Sequence, residues 1–141
     1  MADTFQKPSV SGDLARRMIA AAEDKARQIG VAMNIAVVDE SGILKAFSRM
    51  DGAALLSVQI AQDKAYTAVG FGMPTHGWFD FIKDDPPLAA GAAPGIDRLV
   101  IFGGGYPISV DGVVVGAIGV SGGHYSQDQE VAEAGLAAIG G

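Results

Sequence analysis

The sequence predicts an α+β fold in which helices cover one antiparallel sheet of about five strands. Apolar stripes at helical spacing alternate with β-branched runs along the chain. The runs are joined by turns too short for a parallel crossover, so neighbouring strands must be antiparallel. Twenty glycines in 141 residues, against a usual share of about 7%, sit mostly at the joints, where caps and turns need backbone freedom.

Taken in order, Ser9 or Ser11 caps a helix over about 13–29, with Leu14, Met18, Ala22, Ala26 and Ile29 as its apolar stripe and Gly30 as its stop. Residues 31–38 read as a strand, 39–42 as a turn, and 43–49 as the returning strand, broken by Asp51-Gly52. A second helix over about 54–69 aligns Leu55, Val58, Gln62, Ala65 and Val69, the face expected to lie against the sheet. The segment 70–95 holds Pro74, Pro86, Pro87 and Pro94, with one short helix over 75–83 capped by Thr75. Three strands follow at 99–102, 107–110 and 113–120, with Asp111-Gly112 as a two-residue hairpin turn. Ser126 and Gln129 match a capping box that opens a last helix, whose Val131, Ala134 and Ala138 face inward. No repeat or linker divides the chain, so residues 1–141 are expected to form one domain with 1–9 as a flexible tail.

Composition excludes whole classes of function. A net charge of −6 and a pI near 4.6 disfavour nucleic acid, whose binders displace counterions with Lys and Arg. No apolar run reaches the ~18 residues that span a bilayer. The first residues lack a charged and then apolar leader, so a cytoplasmic location is expected. The absence of cysteine removes thiol nucleophiles, zinc-thiolate sites and iron–sulfur clusters. Spacing alone supplies no metal-ligand set, and imidazole chemistry is confined to His76 and His124.

Gly103-Gly-Gly105 is not a phosphate loop, because Tyr106-Pro107 leads into a strand rather than into a helix after Gly-Lys-Ser/Thr. A wide hairpin with a bulge is the expected role. Ser121-Gly-Gly-His124-Tyr125 joins the last strand to a helix N-terminus, where close approach and free N–H groups suit a ligand. In Met73-Pro-Thr-His76-Gly-Trp78-Phe79-Asp-Phe81-Ile82 the single tryptophan and two of the six phenylalanines flank an imidazole. Those rings suit the wall of an apolar small-molecule pocket. They also suit a plug at the end of the sheet with His76 exposed, and His124 is equally compatible with solvent. Arg49 and Lys64 lie in apolar settings and are candidate anchors for a carboxylate.

Phe47-Ser-Arg-Met-Asp-Gly-Ala, Ile60-Ala-Gln-Asp-Lys-Ala-Tyr-Thr-Ala, Phe71-Gly-Met-Pro-Thr and Gly116-Ala-Ile-Gly-Val-Ser-Gly-Gly together resemble the GlcG/HbpS family, which includes the C-terminal domain of PduO proteins. The likeness runs over about 14–138. It implies a profilin-like fold and homo-oligomeric assembly, and several members of the family bind haem. Both histidines fall where this chain departs from the common pattern. Many members carry Thr or Ser at the position of His124, and a plainer aliphatic helix where His76, Trp78, Phe79 and Phe81 stand.

With the resemblance in place, the first expectation is a haem- or tetrapyrrole-binding protein. His76 or His124 would be the axial ligand, Trp78, Phe79 and Phe81 would contact the macrocycle, and Arg49 or Lys64 would hold a propionate. The alternative is a haem-independent enzyme of lyase, isomerase or hydrolase type acting on a small organic acid or aromatic catabolite. There His124 and His76 would serve as acid and base, with Lys64 or Arg49 on the substrate carboxylate. A third possibility is an accessory subunit whose pocket is filled by its own side chains.

Overall fold

Two hairpins build the sheet in the computed structural model, which describes residues 1–141. The chain runs α1 (Gly12–Ile29), β1 (Asn34–Asp39), β2 (Leu44–Arg49), α2 (Leu56–Phe71), α3 (His76–Ile82), α4 (Pro86–Gly95), β3 (Gly105–Val110), β4 (Val113–Ser121) and α5 (Tyr125–Leu136). In the first hairpin Asp39 Oδ1 accepts from the N–H groups of Ser41 and Ile43, an Asx turn that reverses the chain. In the second, Asp111 and Gly112 both take positive φ, 51° and 78°, as a two-residue turn between twisted strands requires. The strands lie in the order β2-β1-β4-β3, all antiparallel, with β1 and β4 paired from Asn34↔Ser121 to Asp39↔Gly116.

The sheet has four strands, not about five. Residues 99–102 do not join the sheet, and Val100 pairs with a side chain instead of with a strand. The Val100 N–H donates to Thr67 Oγ1, and the Thr67 hydroxyl donates to the Arg98 carbonyl. Arg98 turns the chain with φ 63°, a region that L-residues seldom adopt.

Helices cover both faces. The main core lies between the sheet and α1 with α5, where Met18, Ile35, Val37, Ile118, Val120 and Val131 are buried together. On the other face Val38 and Ala117 meet Ala65 and Ala68 of α2. A Cβ on Gly119 would run into the Ala61 carbonyl oxygen, so α2 lies backbone-close on β4. The face of α2 turned to the sheet is therefore the small one. Ala61, Lys64, Ala65 and Ala68 are buried, while Leu55 is 83% and Leu56 77% exposed. Of the expected stripe Leu55, Val58, Gln62, Ala65 and Val69, Ala65 is buried on the sheet and Val69 packs beside it, but Leu55 faces outward, since large side chains cannot enter so narrow a gap.

The caps expected for α1 hold, and two others change. Ser11 caps α1, its side chain accepting from Leu14 N, and Gly30 closes it in the left-handed region. Thr75 does not cap α3; its Oγ1 accepts from the Gly105 N–H at 2.9 Å and ties α3 to the sheet. The last helix is capped by His124, with Gln127 Oε1 accepting from the His124 N–H at 3.0 Å, so Ser126 and Gln129 lie inside it. The Pro-rich stretch contains a further helix, α4, because Asp85 accepts from Leu88 N and Pro86 and Pro87 occupy the first turn, where no N–H is needed. No helix is long and apolar enough to cross a membrane.

Candidate functional site

Lys64 organises the region where α2, β4 and α5 meet. Its side chain is fully buried, and Nζ donates to the Val120 carbonyl and to Asp128 Oδ2, both at 2.8 Å. Asp128 Oδ1 accepts from the Gly123 N–H at 3.0 Å, so the pair also holds the glycine turn after β4. Burial pulls the Lys64 ammonium below its ordinary pKa, and the Asp128 charge opposes that pull. The glycine triplet passes directly over the pair. A Cβ on Gly104 would lie 2.6 Å from the Val120 oxygen and 2.7 Å from Lys64 Nζ. The triplet is thus a close-approach segment that leads into β3, not a loop of a wide hairpin.

Phe102 stands over the Lys64 ammonium, 5.2 Å from Nζ to the ring centroid, a cation–π contact. Its outer side forms one wall of an open cleft of about 480 Å³. Phe79 and His76 of α3 line the cleft, with Asp80 beside them, and Tyr125 at the start of α5 completes it. Phe79, Phe102 and Tyr125 are 57%, 49% and 52% exposed, so three neighbouring aromatic rings leave about half their surface uncovered. The cleft size falls within the ~300–1,000 Å³ of small-molecule sites.

His76 is the imidazole of this cleft. Its Nδ1 lies 3.0 Å from Gln129 Nε2, and its ring meets Tyr106 edge-on at 5.6 Å. The Tyr106 hydroxyl donates to Glu133 Oε1 at 2.9 Å. Burial and the Glu133 carboxylate raise the Tyr106 pKa well above its ordinary value.

The structure brings together His76 and Phe79 from the sequence-derived candidates and sets the others apart. His124 does not line the cleft. Its ring stacks on Tyr125 at 4.2 Å, and Nδ1 accepts from the Ser126 N–H and meets Ser126 Oγ. Trp78 is buried with Ile82 and Ala92, and Phe81 packs on it edge-on. Lys64 lies beneath the cleft, closed off by Phe102 and by Asp128. Arg49 sits at the end of β2 in a separate depression with Glu23 and Arg27. Sequence reasoning missed Phe102, Tyr125, Gln129 and Asp128. Phe102 had a signal in an aromatic placed directly before three glycines. Asp128 had none, since an acid in a first helical turn is usually solvated.

Residues 10–137 match the family described as haem degrading protein HbpS-like. A 15.0 kDa protein from the dhaT-dhaS intergenic region of Citrobacter freundii is 40% identical over 122 residues, 86% of each chain. The corrinoid adenosyltransferase PduO of Salmonella typhimurium is 35% identical over 119 residues; these make up 84% of this chain but 35% of that protein, so the chain corresponds to only part of it. Among solved structures, Klebsiella pneumoniae protein ORFY superposes with a TM-score of 0.92 at 34% identity, covering 99% of this chain and 96% of that one. A PduOC–haem complex gives 0.87 at 32% identity, covering 94% and 96%.

Proposed function

The chain belongs to the HbpS-like family, and from that membership and the geometry of the cleft we propose that it binds haem or a related tetrapyrrole between α3, residues 101–103 and the start of α5. The observation that carries this reading is one imidazole, His76, set among three half-exposed aromatic rings. Uncovered rings grouped in this way are unusual on a soluble surface and are stabilised when a flat apolar guest covers them. A PduOC relative has been crystallised with haem, which supports the same class of guest here.

The residues present suit such a guest. Imidazole nitrogen is a common axial donor to haem iron, and His76 is the side chain on the cleft able to provide it. Phe79, Phe102 and Tyr125 supply apolar contact for a macrocycle, and Tyr125 adds a hydroxyl. Asp80 of the cleft pairs with Lys83 at 3.0 Å, and that Lys is the cation proposed for a propionate, in place of Lys64 and Arg49. A bound haem would bring redox chemistry to the cleft; the protein's part is to hold and orient it. His124, with Nδ1 engaged at the cap of α5, gives weaker support to the paired acid–base reading.

Leu55 and Leu56, exposed side by side at the start of α2, support a homo-oligomer that covers them. Light scattering after gel filtration of the wild type and a Leu55→Ser/Leu56→Ser variant tests this: a multimer that dissociates in the variant is expected.

Haemin titration followed by the Soret band tests the main reading. Wild type is expected to bind, His76→Ala to lose the shifted band, and Phe102→Ala to bind more weakly. Unchanged binding in both variants overturns the assignment of the cleft.

A further inference from the structure

Gln129 reaches the cleft from α5 and has no role in the reading above. Its amide nitrogen lies 3.0 Å from His76 Nδ1. An amide nitrogen can only donate, so Nδ1 accepts, and a neutral His76 carries its proton on Nε2.

Two further features hold this arrangement. A Cβ on Gly103 would lie 2.7 Å from Gln129 Cδ and 2.8 Å from Cγ, so the absence of a side chain there lets the amide lie across the loop. The ring of Tyr106 also meets the His76 ring edge-on, which holds the imidazole in place.

The chemical consequence concerns which nitrogen is free. An Nε2–H imidazole offers the cleft a donor. Ligation through Nε2 needs the lone pair there and the proton on Nδ1, and such an Nδ1–H is normally held by an acceptor. The Gln129 carbonyl oxygen becomes that acceptor once the amide turns over. Resting on the haem reading above, we propose that Gln129 is a positioning residue that sets the tautomer of His76: its amide nitrogen holds the Nε2–H form in the free protein, and its carbonyl oxygen holds the Nδ1–H form when Nε2 ligates. One proton leaves Nε2 and one arrives at Nδ1, both exchanged with water, so the ring stays neutral.

The experiment uses two-bond ¹H–¹⁵N spectra of the imidazoles in the ligand-free protein, with His124→Ala to assign the signals. Wild type is expected to show His76 protonated on Nε2. Gln129→Glu, an acceptor only, is expected to move the proton to Nδ1, and Gln129→Met, of similar length without polar atoms, to give a mixture. Haemin titration of the same proteins is expected to show about 10–100-fold weaker binding in Gln129→Met and restored binding in Gln129→Glu. Ring-nitrogen shifts that are the same in all three proteins overturn the role of Gln129, as does wild-type affinity in Gln129→Met. Failure of the haem reading looks different: His76→Ala then binds haemin like wild type, whatever the tautomer spectra show.

Discussion

Comparing the two faces of the sheet separates stability from precision. Toward α1 and α5 the strands present Ile35, Val37, Ile118 and Val120, met by Met18, Ile19 and Val131. Toward α2 they present Val38, Ala117 and Gly119, met by Ala61, Ala65 and Ala68. The first face buries large apolar side chains, and its contribution grows with the area removed from water. The second buries little area per residue but brings two backbones together. Only that short distance lets Lys64 reach from α2 to the Val120 carbonyl and to Asp128, and so fixes Phe102 above it and the glycine turn beside it. Small residues on one side of the sheet thus position the cleft, while large ones on the other hold the fold.

The sharpest way to test this contrast is to break the ion pair. Lys64→Met leaves the buried Asp128 carboxylate without its cation, and urea unfolding should show a loss of about 3–5 kcal/mol. Lys64→Met/Asp128→Leu, which removes both charges, should recover most of it. A single variant as stable as wild type would show that the narrow face does not depend on the pair. On the wide face Met18→Ala, at a fully buried position, should cost about 2–4 kcal/mol through lost contact and a cavity, yet leave haemin binding intact. Gly119→Ala adds one methyl against the Ala61 carbonyl and should cost about 1–3 kcal/mol. Unlike Met18→Ala it should also weaken haemin binding, since it pushes α2 away from β4. Equal effects of Met18→Ala and Gly119→Ala on binding would remove the distinction between the faces.

Alkaline pH gives a finer test. The Tyr106 pKa is raised above its ordinary 10.0, so above that pH the unfolded chain releases a proton that the folded one keeps. Stability should therefore fall as pH rises past about 10. Lys64, lowered from 10.5, acts with the opposite sign, raising stability as pH climbs through the window just below its ordinary value. Melting curves of Tyr106→Phe should lose the first component and keep the second. The smallest effect belongs to the rim: Asp80→Asn breaks an exposed i,i+3 pair with Lys83 and should change stability by less than ~1 kcal/mol.

Much of the fold was legible because its signals are local. The Leu14-Met18-Ala22-Ala26 stripe, the cap at Ser11, Gly30, the Asp39 turn and Asp111-Gly112 each act within a few residues, and each stands as read. Two misreadings trace to a partner distant in sequence, whereas the unexpected α4 and the shifted cap of α5 had local signals in Asp85 and in His124 with Gln127. Thr75 looked like a cap and was taken by Gly105. Residues 99–102 looked like a strand, but the Val100 N–H was taken by Thr67. Gln129 looked like a capping residue, but the cap lies two residues earlier at His124 and Gln127. Within the candidate site, His76 and Phe79 were legible because aromatics and imidazole cluster in one short segment. Lys64 was recognised as unusual, but its partner was not visible: Asp128 lies 64 residues away.

By itself the amino-acid order determined the class of fold, the two hairpins, the outer helices and the family, since spacing, turn chemistry and motif order act along the chain. Tertiary structure alone decided which face of α2 is buried, which residues form the cleft and which imidazole opens onto it. Those outcomes depend on how closely two backbones approach and on which polar group finds a buried partner, and neither quantity is carried by any single stretch of sequence.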